Sequence, residues 1–139
     1  MPPRIARVLE TALYVEDIDR AVRFYEEVLG LTPMVDARPR LVALDAGSGS
    51  VLLLFLRGAT TREVVLPEGI IPAHDGSGPV HAAFAVAADE FPAWEERLAD
   101  RGVAVESRVR WARGGQSLYF RDPDGHSIEL ATPHTWPNY

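Results

Sequence analysis

The apolar positions of this chain change period several times, and the order of the changes repeats. Residues 8–15 alternate, with Thr11, Leu13 and Val15 on one side and Glu10, Ala12 and Tyr14 on the other, which predicts a strand. Asp17 is placed as an N-cap, and Ile18, Ala21, Val22, Tyr25, Val28 and Leu29 then recur at helical spacing until Gly30 stops the helix. Short strands are predicted at 32–37, 41–45 and 50–56. The same series returns about 70 residues later. A strand is expected at 80–86, then a helix over 90–101 capped by Asp89, with Phe91, Trp94 and Leu98 on one face and Gly102 at its end. Pro92 falls in the first turn, where it is tolerated. Strands at 103–109, 116–121 and 127–131 complete the second copy, separated by Gly114-Gly115 and Asp122-Pro-Asp-Gly125.

Each half therefore reads β-α-β-β-β. The expected organisation is one α+β domain over 1–139, built of two modules at about 7–57 and 79–132 and joined by a long loop, 58–78. Residues 57–79 hold seven of the chain's glycines and prolines and no convincing element, and a linker of that length is suspected of covering a site. The tail Thr132–Tyr139 reads as irregular.

The repeat also aligns chemistry. Glu10 stands five residues before Val15 and His81 five before Val86, so a carboxylate and an imidazole occupy matched strand positions. In the last strand Ile128 and Leu130 oppose Ser127, Glu129 and Ala131, and Glu129 aligns with Leu53 in the first copy. The bulky apolar face of each sheet belongs under its helix. The opposite face then carries small residues together with Glu10, Tyr14, His81 and Glu129, the composition of a cavity wall. Of four matched positions one is apolar. The expected site has three metal ligands, Glu10, His81 and Glu129, with coordination positions left open, as suits catalysis.

Composition narrows the classes. With 47% hydrophobic and 24% charged residues among 139, the chain is an ordinary globular protein long enough for a core. A net charge of −6 and the lack of a basic stripe disfavour nucleic acid. No apolar run approaches the roughly 20 residues of a membrane span. The N-terminus has no apolar signal region, and cytoplasm is the expected location. Absence of cysteine excludes thiolate ligands.

The stretches Tyr14–Leu31 and Ser117–Leu130 resemble the opening and closing signatures of the vicinal oxygen chelate superfamily, which includes glyoxalase I, extradiol dioxygenases, fosfomycin-resistance transferases and bleomycin-resistance binding proteins. The resemblance covers roughly residues 7–132. It implies two tandem βαβββ modules forming a cup-shaped mixed sheet with helices outside, often paired across a homodimer, which leaves open whether Glu10 and His81 meet within one chain or across two. It implies a divalent ion (Mn, Ni, Zn or Fe) on Glu10, His81 and Glu129, with Glu10 where relatives often carry histidine. That departure ranks extradiol dioxygenase activity lower.

Two functions from different classes follow. One is a glyoxalase-like, metal-dependent lyase, isomerase or transferase acting on a small molecule that chelates the ion through adjacent oxygens. Glu129 is then the expected catalytic carboxylate, and no separate base is named. The alternative is a drug-binding resistance protein without chemistry, for which Tyr14, Phe55 and Trp111 suit a planar cation. Tyr14 and Tyr119 face the cavity by parity, although tyrosines in sheets are as often packing. His74 reaches substrate if the linker folds over the mouth. Arg108, Arg110, Trp111 and Arg113 form a loop that is either a solvated hairpin or a clamp on an anion. The substrate-binding set is thus Tyr14, Phe55, His74, Trp111, Arg113 and Tyr119. His126 reads as a surface turn residue and Trp94 as core.

Overall fold

The computed structural model describes all residues, 1–139. It is an α+β protein with two four-stranded mixed sheets and a small hairpin. In the first sheet β1 (Glu10–Val15) runs parallel to β4 (Val51–Leu56). β4 is antiparallel to β3 (Leu41–Asp45), which pairs with β2 (Thr32–Ala37). The second sheet repeats this order: β7 (His81–Ala85) is parallel to β10 (Ser127–Ala131), followed by β9 (Gln116–Arg121) and β8 (Ser107–Arg110). In both, the first and last strands of a module lie side by side at the centre of its chemistry.

The helices start and stop as the sequence dictates. Asp17 Oδ1 accepts the Arg20 N–H at 3.0 Å, a side-chain cap on α1 (Ile18–Glu27). Gly30 closes that helix at φ +72°, and Gly102 closes α2 (Phe91–Asp100) at φ +70°, a backbone region that disfavours any residue with a Cβ. The start of α2 differs from expectation. Asp89 lies in a single 3₁₀ turn, Ala88–Glu90, and Glu90 at the N-cap makes no side-chain cap.

Residues 1–22 with 31–76 form one compact unit, and 23–30 with 77–139 the other. In the first, Leu13, Val15, Val42, Leu44, Leu52 and Leu54 are buried on one face of the sheet. In the second, Leu118, Phe120, Ile128 and Leu130 do the same, and the Phe24 ring meets Phe120. Each such side chain contributes about 1.5–3 kcal/mol on leaving water. Segment 23–30 is fastened within its unit by hydrogen bonds. Tyr25 donates to Asp122 at 2.7 Å, and Arg97 donates to the carbonyls of Val28 and Glu27 at 2.6 and 2.9 Å.

Four sequence readings are corrected. Residues 57–79 contain a hairpin, β5 (Val64–Leu66) with β6 (Gly69–Ile71), turning at Pro67-Glu68. Its β-branched pairs outweigh the surrounding glycines and prolines. The strand expected at 103–109 begins only at Ser107. Trp94 is half-buried rather than core, with the Arg97 guanidinium 6.0 Å from its ring centroid. His126 is buried, not at the surface. Its backbone and ring nitrogens both bond Asp122, at 2.9 and 2.7 Å, and Tyr25 shares the same carboxylate. A buried carboxylate needs donors from every side, and the Asp-Pro-Asp-Gly turn folds His126 inward to supply two.

Candidate functional site

Parallel pairing places Ser127 beside His81 and Glu129 beside Ala83, while Tyr119 faces Glu129 from the other neighbour. One face of this sheet therefore presents His81, Ala83, Ala85, Glu129 and Tyr119. Ala83 and Ala85 are exposed, whereas Glu129 is buried.

The imidazole is oriented by a backbone group. His81 Nδ1 lies 2.9 Å from the Ser127 carbonyl, which only accepts, so Nδ1 carries a proton. In the neutral ring, Nε2 then presents a lone pair, and it stands 3.2 Å from Glu129 Oε1. Two lone pairs at that separation repel unless a cation is shared between them. Either a proton on the ring or a metal ion meets that requirement, so the pair fits a metal.

The second carboxylate oxygen is held from behind. Ser117 Oγ donates to Glu129 Oε2 at 2.6 Å and accepts the Trp111 indole N–H at 2.8 Å. A hydroxyl has one proton to give, so the direction of this chain is fixed and each bond polarises the next. The Tyr119 ring stacks on His81, centroids 6.3 Å apart. Burial first, then the charge and hydrogen bond of Glu129, raise the Tyr119 phenol above its ordinary range and keep it protonated.

In the other unit, Glu10 opens β1, exposed, on the wall of a cavity of about 480 Å³. Arg40, Phe55, Ile71 and His74 line it too. Tyr14 stacks on Phe55 with centroids 5.8 Å apart, and its hydroxyl is 2.6 Å from His74 Nδ1. The His74 ring meets Phe55 edge-on at 4.6 Å. The linker is pinned there by two bonds: His74 N–H to the Thr60 carbonyl at 2.9 Å, and the Thr60 hydroxyl to the His74 carbonyl at 2.6 Å. Burial and the nearby Asp75 charge raise the Tyr14 phenol, so it remains a donor at neutral pH.

The expected residues thus fall into two groups. His81, Glu129, Tyr119 and Trp111 gather in one unit; Tyr14, Phe55, His74 and Glu10 belong to the other. Arg113 lies exposed in the β8–β9 turn. Nowhere do three His, Asp or Glu side chains gather as a metal cage. Two participants escaped the sequence reading. Ser117 had a usable signal, being a polar residue in an apolar strand on the face of Tyr119. Arg40 had none, because its role depends on lying 5.6 Å over the Phe55 ring.

A model of the Glyoxalase/Bleomycin resistance protein/Dioxygenase superfamily matches residues 5–130. The chain is 32% identical over 119 residues to a metallothiol transferase, FosB, of Staphylococcus saprophyticus, covering 85% of this chain and 71% of that one. It is 35% identical over 119 residues to a glutathione transferase, FosA, of Serratia marcescens, covering 85% and 74%. The crystal structure of lactoylglutathione lyase from Agrobacterium tumefaciens superposes with a TM-score of 0.87 at 33% identity, over 99% of both chains. No helix of the chain is long and apolar enough to cross a membrane.

Proposed function

Because this chain belongs to the Glyoxalase/Bleomycin resistance protein/Dioxygenase superfamily, we propose that it is a metal-dependent enzyme of the transferase or lyase type, acting on a small substrate that offers adjacent oxygens to a divalent ion. The observation that carries this reading is the 3.2 Å approach of His81 Nε2 to Glu129 Oε1, with Nδ1 committed to Ser127. The relatives' names, metallothiol transferase, glutathione transferase and lactoylglutathione lyase, support thiol-linked chemistry over dioxygenation.

Glu10 is the third ligand in this reading, supplied by a second copy of the chain. Its support is that Glu10 is exposed and that no three-ligand cage exists in one chain. Two carboxylates and an imidazole suit Mn, Ni, Zn or Fe. When bound, the ion supplies positive charge that stabilises negative charge developing on substrate oxygen. The protein's part is orientation. Ser127 fixes the His81 tautomer, and the Trp111–Ser117 chain holds Glu129 so that Oε1 stays toward the imidazole. Protonated Tyr119 adds a hydrogen-bond donor beside the carboxylate. Alanines 83 and 85 leave room for substrate.

The test is elemental analysis of protein purified without chelator, with the oligomeric state measured alongside. About one ion per chain is expected, falling to below about 0.2 in His81→Ala and in Glu10→Gln. Metal content unchanged in His81→Ala removes the reading. Metal-free protein that is stabilised against heat by glycopeptide drugs supports the non-catalytic alternative instead.

A further inference from the structure

We propose that the cavity beside Tyr14 and His74 seats the anionic end of an elongated organic acid, and that Arg40 receives its charge. The inference deepens the metal-dependent reading and rests on it only for what happens at the Glu10 end.

Arg40 carries the argument. Its Nε is buried without a hydrogen-bond partner, although guanidinium nitrogens are obligatory donors. The guanidinium carbon lies 5.6 Å from the Phe55 ring centroid, so the ring takes one face of the group. The two terminal Nη groups, which bond nothing within the protein, remain for a planar or tetrahedral anion, which a guanidinium binds bidentately. Arg57 also has an orphaned buried Nε, but its Nη1 pairs with Glu16; Arg38, Arg108 and Arg121 are paired too, whereas no carboxylate of the protein pairs with Arg40. His74 lines the same cavity, and its Nδ1 meets the hydroxyl of Tyr14 behind it, which leaves Nε2 of the neutral ring as a further donor.

The rest of the wall sets the shape of the occupant. Ala12, Leu41, Leu53 and Ile71 are apolar, and Thr11, next to Glu10, is the one other polar residue of the lining. The register puts Tyr14, Phe55 and Leu41 in one row across the sheet, next to Arg40, and Glu10 in a row four residues away along β1. At strand rise, those rows are roughly 13 Å apart. An occupant touching both ends therefore has an acid at one end, an apolar middle, and oxygen at the other. A three-carbon molecule is too short.

The probes are octanoate, octylphosphonate and butyrate, titrated by calorimetry into the full chain with and without prior chelator treatment. Octanoate or octylphosphonate binding is expected in both preparations, with butyrate much weaker. Their order tells a carboxylate seat from a phosphonate seat. Arg40→Gln should weaken binding about tenfold or more. Arg40→Lys keeps the charge but loses the fork, and it should fall in between. It also serves if Arg40→Gln fails to fold. Arg101→Gln, exposed at the end of α2, should bind like the parent. Equal octanoate affinity in the parent and both Arg40 variants overturns the proposal. Arg40-dependent binding in a protein that takes up no metal upholds the anion seat and sinks the metal reading. Metal uptake with Arg40-independent binding does the reverse.

Discussion

Ser117 donates its only hydroxyl proton to Glu129 Oε2 across 2.6 Å, while the indole of Trp111 donates to the same hydroxyl. The carboxylate is thereby aimed by a chain of two side chains attached to its second oxygen. Removing the hydroxyl leaves Oε2 free to rotate away and the Trp111 N–H without its partner. Ser117→Ala should keep the fold and weaken metal affinity about tenfold or more, the usual scale for an outer-shell partner. Competition against a chelator of known affinity measures it. Affinity equal to the parent's would show that Glu129 needs no support.

The buried carboxylate of Asp122 predicts a hierarchy of stability losses. Tyr25→Phe removes one donor of several and should cost about 1–3 kcal/mol. Asp122→Ala strands both Tyr25 and His126 in the interior, and should cost more, about 3–5 kcal/mol. Urea midpoints of the two variants give the order directly.

The same cluster predicts an alkaline limit. Tyr25 is held well above the ordinary phenol range, first by burial, then by the charge of Asp122 and its hydrogen bond. Above about pH 10 the unfolded chain releases this proton while the folded chain retains it, so the folded state binds more protons and stability falls as pH rises. Below that pH the contribution is present in full. Unfolding free energy measured from pH 8 to 11 should drop for the parent and drop less steeply for Tyr25→Phe. Tyr14 and Tyr119, also raised, account for the remaining slope.

Thr60 and His74 bracket the hairpin-bearing linker through two mutual hydrogen bonds. Thr60→Val removes one and leaves the His74 carbonyl without its side-chain donor, a loss of about 1–2 kcal/mol locally. Amide exchange over 61–73 should accelerate with the rest of the chain unchanged. Uniform acceleration would mean instead that the linker unfolds only with the whole domain.

Gly76 packs against the Tyr14 ring: a Cβ there would meet Cδ2 at 2.4 Å. Gly76→Ala must therefore push Tyr14 off His74, lowering stability by about 1–3 kcal/mol. The shift should be visible in the tyrosine ring signals by NMR.

Local rules made much of this legible from residues alone. The Asp17 cap, the Gly30 and Gly102 stops, the two-residue alternation and the pairing of His81 with Glu129 all depend on positions a few residues apart, or on a repeat that aligns distant ones. What stayed hidden depends on three-dimensional neighbours. His126 looked like a turn residue because Asp122, its reason for burial, belongs to the same turn, while Tyr25, which completes the cluster, lies 97 positions from Asp122. Arg40 carries no sequence signal, because Phe55, the ring beneath it, is its neighbour only in three dimensions. The β5–β6 hairpin was masked by its own glycines and prolines, although Val64-Val65 and Ile70-Ile71 flank an obvious reversal.

The partition of residues into 1–22 with 31–76 and 23–30 with 77–139 has a practical corollary. The stretch 23–30, which belongs to the first copy of the repeat in sequence, belongs to the second unit in space. A gene truncated at the linker to express the later copy alone would discard Tyr25 and the backbone carbonyls that Arg97 grips, leaving the Asp122 carboxyl group facing an unfilled gap. Fragment complementation with the later copy should therefore supply the 23–30 stretch along with residues 77–139.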